Sequence, residues 1–198
     1  MLYLGDKKAY EIYKGSTLIG QIYKGSTKVY DVNPYTKGKV IIEKSAGSYT
    51  GTLPRGVYKV ALGGAKGNNI SWAFEGAAWG ASGGGGAFVE VIFFNPTARS
   101  ITLKSGETGN SYLDLGGTRF LTANAGTNAA INNPGDGGTV SVNSGLDVLQ
   151  TIKRQSGNNG STAPYNIPSV ATVSTYGNWG STSNPSGGVR LEYIRYVR

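Results

Sequence analysis

The fold of this chain is indicated by residues 57–94, which read VYKVALGGAKGNNISWAFEGAAWGASGGGGAFVEVIFF. The two ends of the stretch, 57–62 and 87–94, are rich in β-branched and aromatic residues, so they predict two strands. Between them lie two glycine clusters, 63–67 and 83–86, where the backbone can adopt positive φ or pack closely. The insert also carries aromatic side chains, which a flexible linker lacks. We therefore expect a shaped loop on a β scaffold.

The composition supports an all-β fold with many turns. Glycine is abundant, with 32 of 198 residues, while 38% of the chain is hydrophobic. That apolar fraction is enough to offset chain entropy, so the glycine content indicates turns rather than disorder. We predict a small N-terminal antiparallel β-meander followed by a glycine-rich, β-sandwich-like domain with long loops.

An internal repeat of ten residues organises the first 33 residues. The sequence IYKGST at 12–17 returns at 22–27, and Gly-Asp or Gly-Ser pairs at the junctions suit two-residue hairpin turns. We expect a meander with strands near 2–4, 8–14, 17–24 and 27–32. So small a sheet is marginal alone. It is interpreted as a docking module for a larger assembly or for copies of itself, with a sheet extension of the main domain as the alternative.

Residues 34–39 contain Pro and Gly and are predicted to be a linker to a second domain at 40–198. Within 144–154, Ser144 and Asp147 resemble a capping box, and Leu149 and Ile152 continue a helical face, so one short helix is predicted there. The strands predicted for this domain are 40–44, 57–62, 87–94, 100–104, 118–123, 138–142, 169–174 and a closing strand at 189–197.

Several classes of function are excluded or disfavoured by the residue inventory. The chain has neither cysteine nor histidine, which rules out disulfides, Cys/His metal sites and imidazole catalysis. The net charge of +8 divides into +4 for residues 1–44, with 8 Lys/Arg against 4 Asp/Glu, and +4 for the rest, with 11 against 7, and no basic stripe stands out. This distribution disfavours a specific nucleic-acid function. We expect no signal peptide, no membrane insertion and no cofactor.

The order of motifs from residue 53 onward resembles the glycine-rich domain of bacteriophage tail-fibre and other virion proteins. The matching segments are LPRGVYKV at 53–60, GGA at 63–65, GGGGAFV at 83–89, SITL at 100–103, TRFLTA at 118–123 and GGVRLEYI at 187–194. The resemblance covers roughly residues 40–198, and the N-terminal hairpins also look like short β modules of phage structural proteins. One departure is the interruption of the glycine runs at 68–74, which argues against a surface made of packed polyglycine helices.

Catalysis is not expected. A glycan-cleaving phage protein needs two carboxylates facing one sugar, and the candidates near glycine-rich turns are Glu90, Glu107, Asp114 and Asp136. Each is equally well explained as a solvated turn residue. A surface-polysaccharide hydrolase therefore remains only a distant alternative.

Binding is favoured instead, because Tyr and Trp give contact area at low entropy cost while Ser, Gly and Asn give adaptable hydrogen bonds. The candidate receptor-contacting residues are Trp72, Phe74, Trp79, Tyr165, Tyr176 and Trp179. Replacing Trp79 and Trp179 by alanine is expected to abolish host binding without unfolding. The alternative is that several of these aromatics pin long loops to the sheet.

These observations predict a non-enzymatic phage virion protein, made in the host cytoplasm and attached to the particle through residues 1–33. As a fibre or adhesin subunit it would bind a host surface glycan or protein, and the resemblance implies a homotrimer. The alternative is a capsid decoration, head-fibre or tail assembly protein that contacts only other virion subunits.

Overall fold

The computed structural model describes residues 3–4, 7–8, 13–15, 17–18, 21–24, 26–31, 35, 37–164, 179–181 and 186–194. Within these residues every regular element is a strand, which confirms the all-β prediction. No helix among them is long and apolar enough to cross a membrane. The predicted strand at 169–174 lies outside the described residues.

The N-terminal repeat forms three short antiparallel hairpins. Leu4 pairs with Lys7, Lys14 with Thr17, and Lys24 with Thr27, so each register leaves two residues for the turn, as the Gly-Asp and Gly-Ser pairs predict. Among the described residues, each hairpin is a separate two-stranded sheet. Their strands are β1 (Tyr3–Leu4), β2 (Lys7–Lys8), β3 (Tyr13–Lys14), β4 (Thr17–Leu18), β5 (Gln21–Lys24) and β6 (Thr27–Asp31).

The remaining chain forms a sandwich of two five-stranded antiparallel sheets. The strands of the first sheet are β7 (Val40–Lys44), β9 (Gly56–Gly63), β12 (Phe88–Asn95), β17 (Asp147–Gln155) and β19 (Gly188–Ile194). Those of the second sheet are β8 (Gly47–Leu53), β13 (Arg99–Ser105), β14 (Ser111–Leu115), β15 (Thr118–Ala123) and β16 (Val140–Val142). The first sheet has the order β17-β12-β9-β19-β7 and the second β16-β15-β14-β13-β8.

Alternate residues of both sheets meet in one core, as expected for a sandwich with period-2 strands. From the first sheet it receives Tyr58, Val60, Leu62, Val89, Val91, Phe93, Val189, Leu191 and Tyr193, and from the second Leu53, Ile101, Leu103, Leu113, Leu115, Leu121 and Ala123. Part of the predicted linker joins this domain. Gly38 donates to the carbonyl of Tyr193 at 2.9 Å, and Tyr35 packs against the core with its ring 6.2 Å from that of Tyr193.

The predicted helix at 144–154 is wrong, because these residues contain the edge strand β17. Its pairing with β12 has two register shifts, one between Glu90 and Val91 and one between Ile92 and Phe93. The shifts leave Leu149 and Ile152 as extra, unpaired residues of two bulges. These two apolar residues are three positions apart, which is also the spacing of neighbours on one face of a helix. Both side chains are exposed.

Asn95 closes the end of the sandwich where β8 turns into β9. Its side chain is fully buried, its Nδ2 donates to the carbonyls of Leu53 and Pro54 at 2.9 Å each, and its Oδ1 accepts from Arg99. Replacing Asn95 by alanine removes these three hydrogen bonds, so we expect the free energy of unfolding to fall by about 2–3 kcal/mol. Urea denaturation followed by circular dichroism measures this loss.

The matched control is Tyr58→Phe, since the Tyr58 hydroxyl also donates to the Pro54 carbonyl, at 2.8 Å. This variant loses the bond to Pro54 and keeps those of Asn95, so the expected loss is about 1 kcal/mol. Equal losses for the two variants would contradict the role assigned to Asn95.

Candidate functional site

Glycine-rich segments extend the sandwich strands beyond one of its ends. Segment 64–69 follows β9, and segment 82–87 leads into β12, whose first residue Phe88 pairs with Gly63, the last of β9. β15 and β17 end at the same end of the sandwich, and β16 begins there, so the segments next to these strands also extend beyond it. We call the segments 64–69, 82–87, 124–129, 134–139 and 156–161 the glycine bundle.

Segment 82–87 lies at the centre of the bundle and is bonded to all four of the others. Gly84 and Ala87 both donate to segment 124–129, each at 3.0 Å, and Ser82 and Gly85 both donate to segment 156–161. The carbonyls of Gly84 and Ala87 accept from segment 64–69, and those of Ser82 and Gly85 accept from segment 134–139. In each pair the two residues are three positions apart in the sequence. Three residues per turn without internal hydrogen bonds is the geometry of a polyproline II helix. Glycine-rich segments thus pack closely in this chain even though residues 68–74 interrupt the glycine runs, because that interruption lies largely beyond the bundle.

Glycine is required in the bundle because the backbones approach within van der Waals contact. A Cβ built on Gly84 would lie 1.8 Å from the carbonyl oxygen of Asp136, and one on Gly157 would lie 1.9 Å from that of Gly85. The neighbouring atoms are backbone and cannot rotate away. The hydrogen bonds also satisfy the backbone groups of a region without regular sheets, so the bundle is a fixed support and not a set of free loops.

The connection between segments 64–69 and 82–87 is a hairpin at the far end of the bundle. It consists of β10 (Ile70–Phe74) and β11 (Ala77–Ala81), and β18 (Thr162–Pro164) pairs with β11 as a third strand. Glu75 and Gly76 close it with φ of 48° and 79°, the positive pair that a type I′ turn needs. The expected loop is thus a regular hairpin.

One face of this hairpin is apolar and aromatic. Trp72 pairs directly with Trp79, and both are half-buried. Ile70 and Phe74 share their face, since they lie two residues from Trp72 along the same strand. Phe74 is 59% exposed, close to the turn. The hairpin therefore presents an aromatic surface that ends in an uncovered ring.

A second apolar residue reaches the same end of the bundle. Segments 124–129 and 134–139 are joined by a turn in which Ala130 bridges Asn133 and Asn132 has φ of 59°. This turn exposes Ile131 to the same extent as Phe74, 59%. Sequence reasoning missed Ile131, because one apolar residue among Asn and Ala carries no periodic signal.

Hydrogen bonds join the bases of the turn and the hairpin. Ala129 donates to the carbonyl of Asn68 at 2.9 Å, and the Asn68 amide donates to Oδ1 of Asn128 at 2.8 Å. We call the hairpin β10–β11, the strand β18 and the turn 130–133 the tip.

Lys66 and Asn69 brace the base of the hairpin. Lys66 is 9% exposed, and its Nζ donates to the carbonyl of Gly67 at 2.8 Å and to Oδ1 of Asn69. The same oxygen accepts from the amide of Gly83 at 3.1 Å, which links the two segments that carry the hairpin. Burial lowers the pKa of Lys66. This lysine therefore serves as an internal donor that fixes the direction of the hairpin.

The predicted binding aromatics fall into three groups. Trp72, Phe74 and Trp79 meet on the tip hairpin. Trp179 is 5% exposed and packs against Ala61 and Phe88 on the first sheet, which is a core position and not a contact surface. Tyr165 and Tyr176 lie outside the described residues.

Three of the four carboxylates considered for catalysis lie in different parts of the described structure. Glu90 belongs to the first sheet and lies 3.9 Å from Lys59, whereas Asp114 belongs to the second sheet and is bound to Arg119 at 2.9 Å. Asp136 lies in the glycine bundle. Among the described residues, His, Cys, Asp and Glu nowhere gather in a group of three that could hold a metal ion. The tip presents apolar side chains and hydrogen-bonding groups.

Comparisons with known proteins give no match: none to a protein-family model, none to a curated protein and none to a solved structure.

Proposed function

We propose that this protein is a non-enzymatic structural protein of a phage virion, a fibre or adhesin subunit that binds the host cell surface through its tip. The observation that carries the proposal is the position of its exposed apolar side chains. Phe74 and Ile131 are the two most exposed large hydrophobic residues of the described chain, and both lie at the far end of a hydrogen-bonded support. Isolated apolar exposure is ordinary, but apolar side chains gathered at one projecting end indicate a contact surface.

The support reduces the entropic cost of binding. The backbone of the bundle is already fixed by bonds between segments, so ordering the tip on contact costs little beyond side-chain freedom. Trp72 and Trp79 fix the hairpin face beside Phe74. An aromatic anchor surrounded by half-buried neighbours is the arrangement in which single residues dominate a binding energy. The proposed ligand is a glycan or protein of the host surface.

The hairpins of residues 1–33 are proposed to attach the chain to the particle, with the homotrimer that the resemblance implies. Several tips on one particle would then act together, and weak individual contacts would give high avidity.

The test is binding of the labelled protein to a panel of candidate host bacteria. Phe74→Ala and Ile131→Ala are each expected to weaken binding at least about tenfold, because each removes an exposed anchor. Both should leave the free energy of unfolding within about 0.5 kcal/mol of the parent, as exposed positions do. The control is Ile152→Ala, which removes a 45% exposed side chain from the sandwich edge and should bind like the parent.

Equal binding by all three variants would exclude the tip as the contact. If the parent protein binds no cell of the panel but binds particles that lack it, the alternative of a decoration or assembly protein replaces the adhesin. Release of reducing sugar from host polysaccharide would instead support a hydrolase.

A further inference from the structure

The two sheets of the sandwich expose four edge strands, and three of them carry features that hinder pairing with another chain. β17 has two bulges and the charged residues Lys153 and Arg154. β16 has only three residues, and Arg154 donates to its Val140 carbonyl at 3.0 Å. β7 bears Glu43 and Lys44. Bulges, short length and charges are the usual protections of a sheet edge.

The fourth edge, β8, has none of these protections within the strand itself, and the Lys44 ammonium reaches its open side, at Ser48. Its seven residues, GSYTGTL, include neither a charge nor a proline, and its pairing with β13 runs from Gly47 to Leu53 without a register shift. Ser48, Thr50 and Thr52 are exposed. In the described part of the chain β8 pairs with β13 alone. A long edge without bulges and without charges of its own is a template for a further strand.

The backbone groups at this open edge can be assigned from two hydrogen bonds. Ser100 on β13 accepts from Gly116 at 2.8 Å, so its backbone groups point toward β14 and away from β8. Thr52 lies opposite Ser100 and, by antiparallel alternation, directs its own groups to the open side. Lys44 donates to the carbonyl of Ser48 at 3.5 Å from that same side. The backbone groups of Ser48, Thr50 and Thr52 therefore face outward.

We propose that β8 pairs with β8 of a second copy of this chain, antiparallel and with the two-fold axis at Thr50. This register makes Thr50 face its own copy and Ser48 face Thr52, which gives about six hydrogen bonds between the chains. Tyr49 then lies opposite Gly51 of the other copy. Other centres on this strand pair fewer of its residues. The two second sheets become one continuous sheet of ten strands.

The absence of charge on β8 favours a second copy as the partner. Each chain carries a net charge of +8, so two copies repel least along a strand that bears no charged side chain of its own, and the Lys44 ammonium beside Ser48 has to move aside for the pairing. A basic or acidic partner would be expected to meet complementary charges, and β8 itself has none. This pairing does not depend on the proposed host-surface role.

The first experiment is light scattering on the purified full chain over a range of concentrations. An isologous contact joins copies in pairs, so the expected mass is that of an even number of chains, two or, if a trimer forms elsewhere, six. Thr50→Pro should halve that number, because it removes the central donor. The Thr50 amide faces outward, so proline costs no bond within the sheet and the variant should remain folded. A monomer or a lone trimer in the parent overturns the pairing.

The second experiment uses the absence of cysteine from the chain. Thr50→Cys should form an inter-chain disulfide under mild oxidation, because directly opposed residues of this type lie about 5.5 Å apart between Cα atoms, within reach of a disulfide. The matched control is Thr102→Cys, which faces Thr50 from the next strand inward and lies too far from its copy. Equal cross-linking of both variants, or none of Thr50→Cys in a folded protein, contradicts the register.

Discussion

Gly84→Ala is expected to lower the free energy of unfolding by about 4 kcal/mol or more, a loss at the extreme for single substitutions. Gly84 donates to Thr127 and accepts from Gly67, and its added Cβ would lie 1.8 Å from the Asp136 carbonyl oxygen. No side chain can rotate to make room, since the clash is with backbone. Relief requires the central segment to separate from its neighbours, with loss of the bonds that hold the bundle.

Gly109→Ala is the matched control. A Cβ on Gly109 meets nothing within 4 Å, and its φ is not positive, so the expected change is within about 1 kcal/mol. Both variants are compared by urea denaturation followed by circular dichroism. If Gly84→Ala fails to fold while Gly109→Ala folds, the expected large destabilisation is also confirmed. A loss below 1 kcal/mol for Gly84→Ala would mean that the bundle is not closely packed.

The strands of the sandwich core could be predicted because their signal is local. Residues 57–62, 87–94, 100–104 and 118–123 alternate or are densely apolar, and they correspond to β9, β12, β13 and β15. β8 gave no such signal, since Gly, Ser and Thr fill most of it. β14 was missed although Leu113 and Leu115 alternate with polar residues, because Gly-rich stretches bound it on both sides.

The glycine bundle could not be predicted, for a physical reason. Its structure depends on hydrogen bonds between segments up to 79 residues apart in the sequence, such as those between Ser82 and Ser161. The direction of the backbone hydrogen bonds repeats every three residues, and this repeat leaves no apolar pattern in the sequence. Composition identified glycine as important, but only the partners of each amide distinguish a packed bundle from loops. The sequence indicated a shaped aromatic segment between the two glycine clusters, but it did not predict that this segment pairs as a regular hairpin.

Trp179→Ala is expected to destabilise the protein by about 3–5 kcal/mol, the cost of truncating a large core aromatic. The indole lies over Gly63 and Gly188, which pair across β9 and β19 and provide a flat floor. A Cβ on Gly188 would lie 2.0 Å from a ring carbon of Trp179. Next to it, Gly180 accepts from Gly86 at 3.1 Å, so this indole fixes the segment where the sandwich meets the bundle.

This expectation departs from the one drawn from the sequence, in which Trp179 and Trp79 were both to abolish host binding without unfolding. The two substitutions should instead have different effects on host binding. Trp79→Ala acts at the tip and should weaken host binding, whereas Trp179→Ala should bind like the parent at temperatures where it remains folded. Circular dichroism melts set those temperatures, and the cell-binding assay is then run below them. Binding lost by folded Trp179→Ala would return Trp179 to the contact surface, because a core position acts on binding only through the fold that it stabilises.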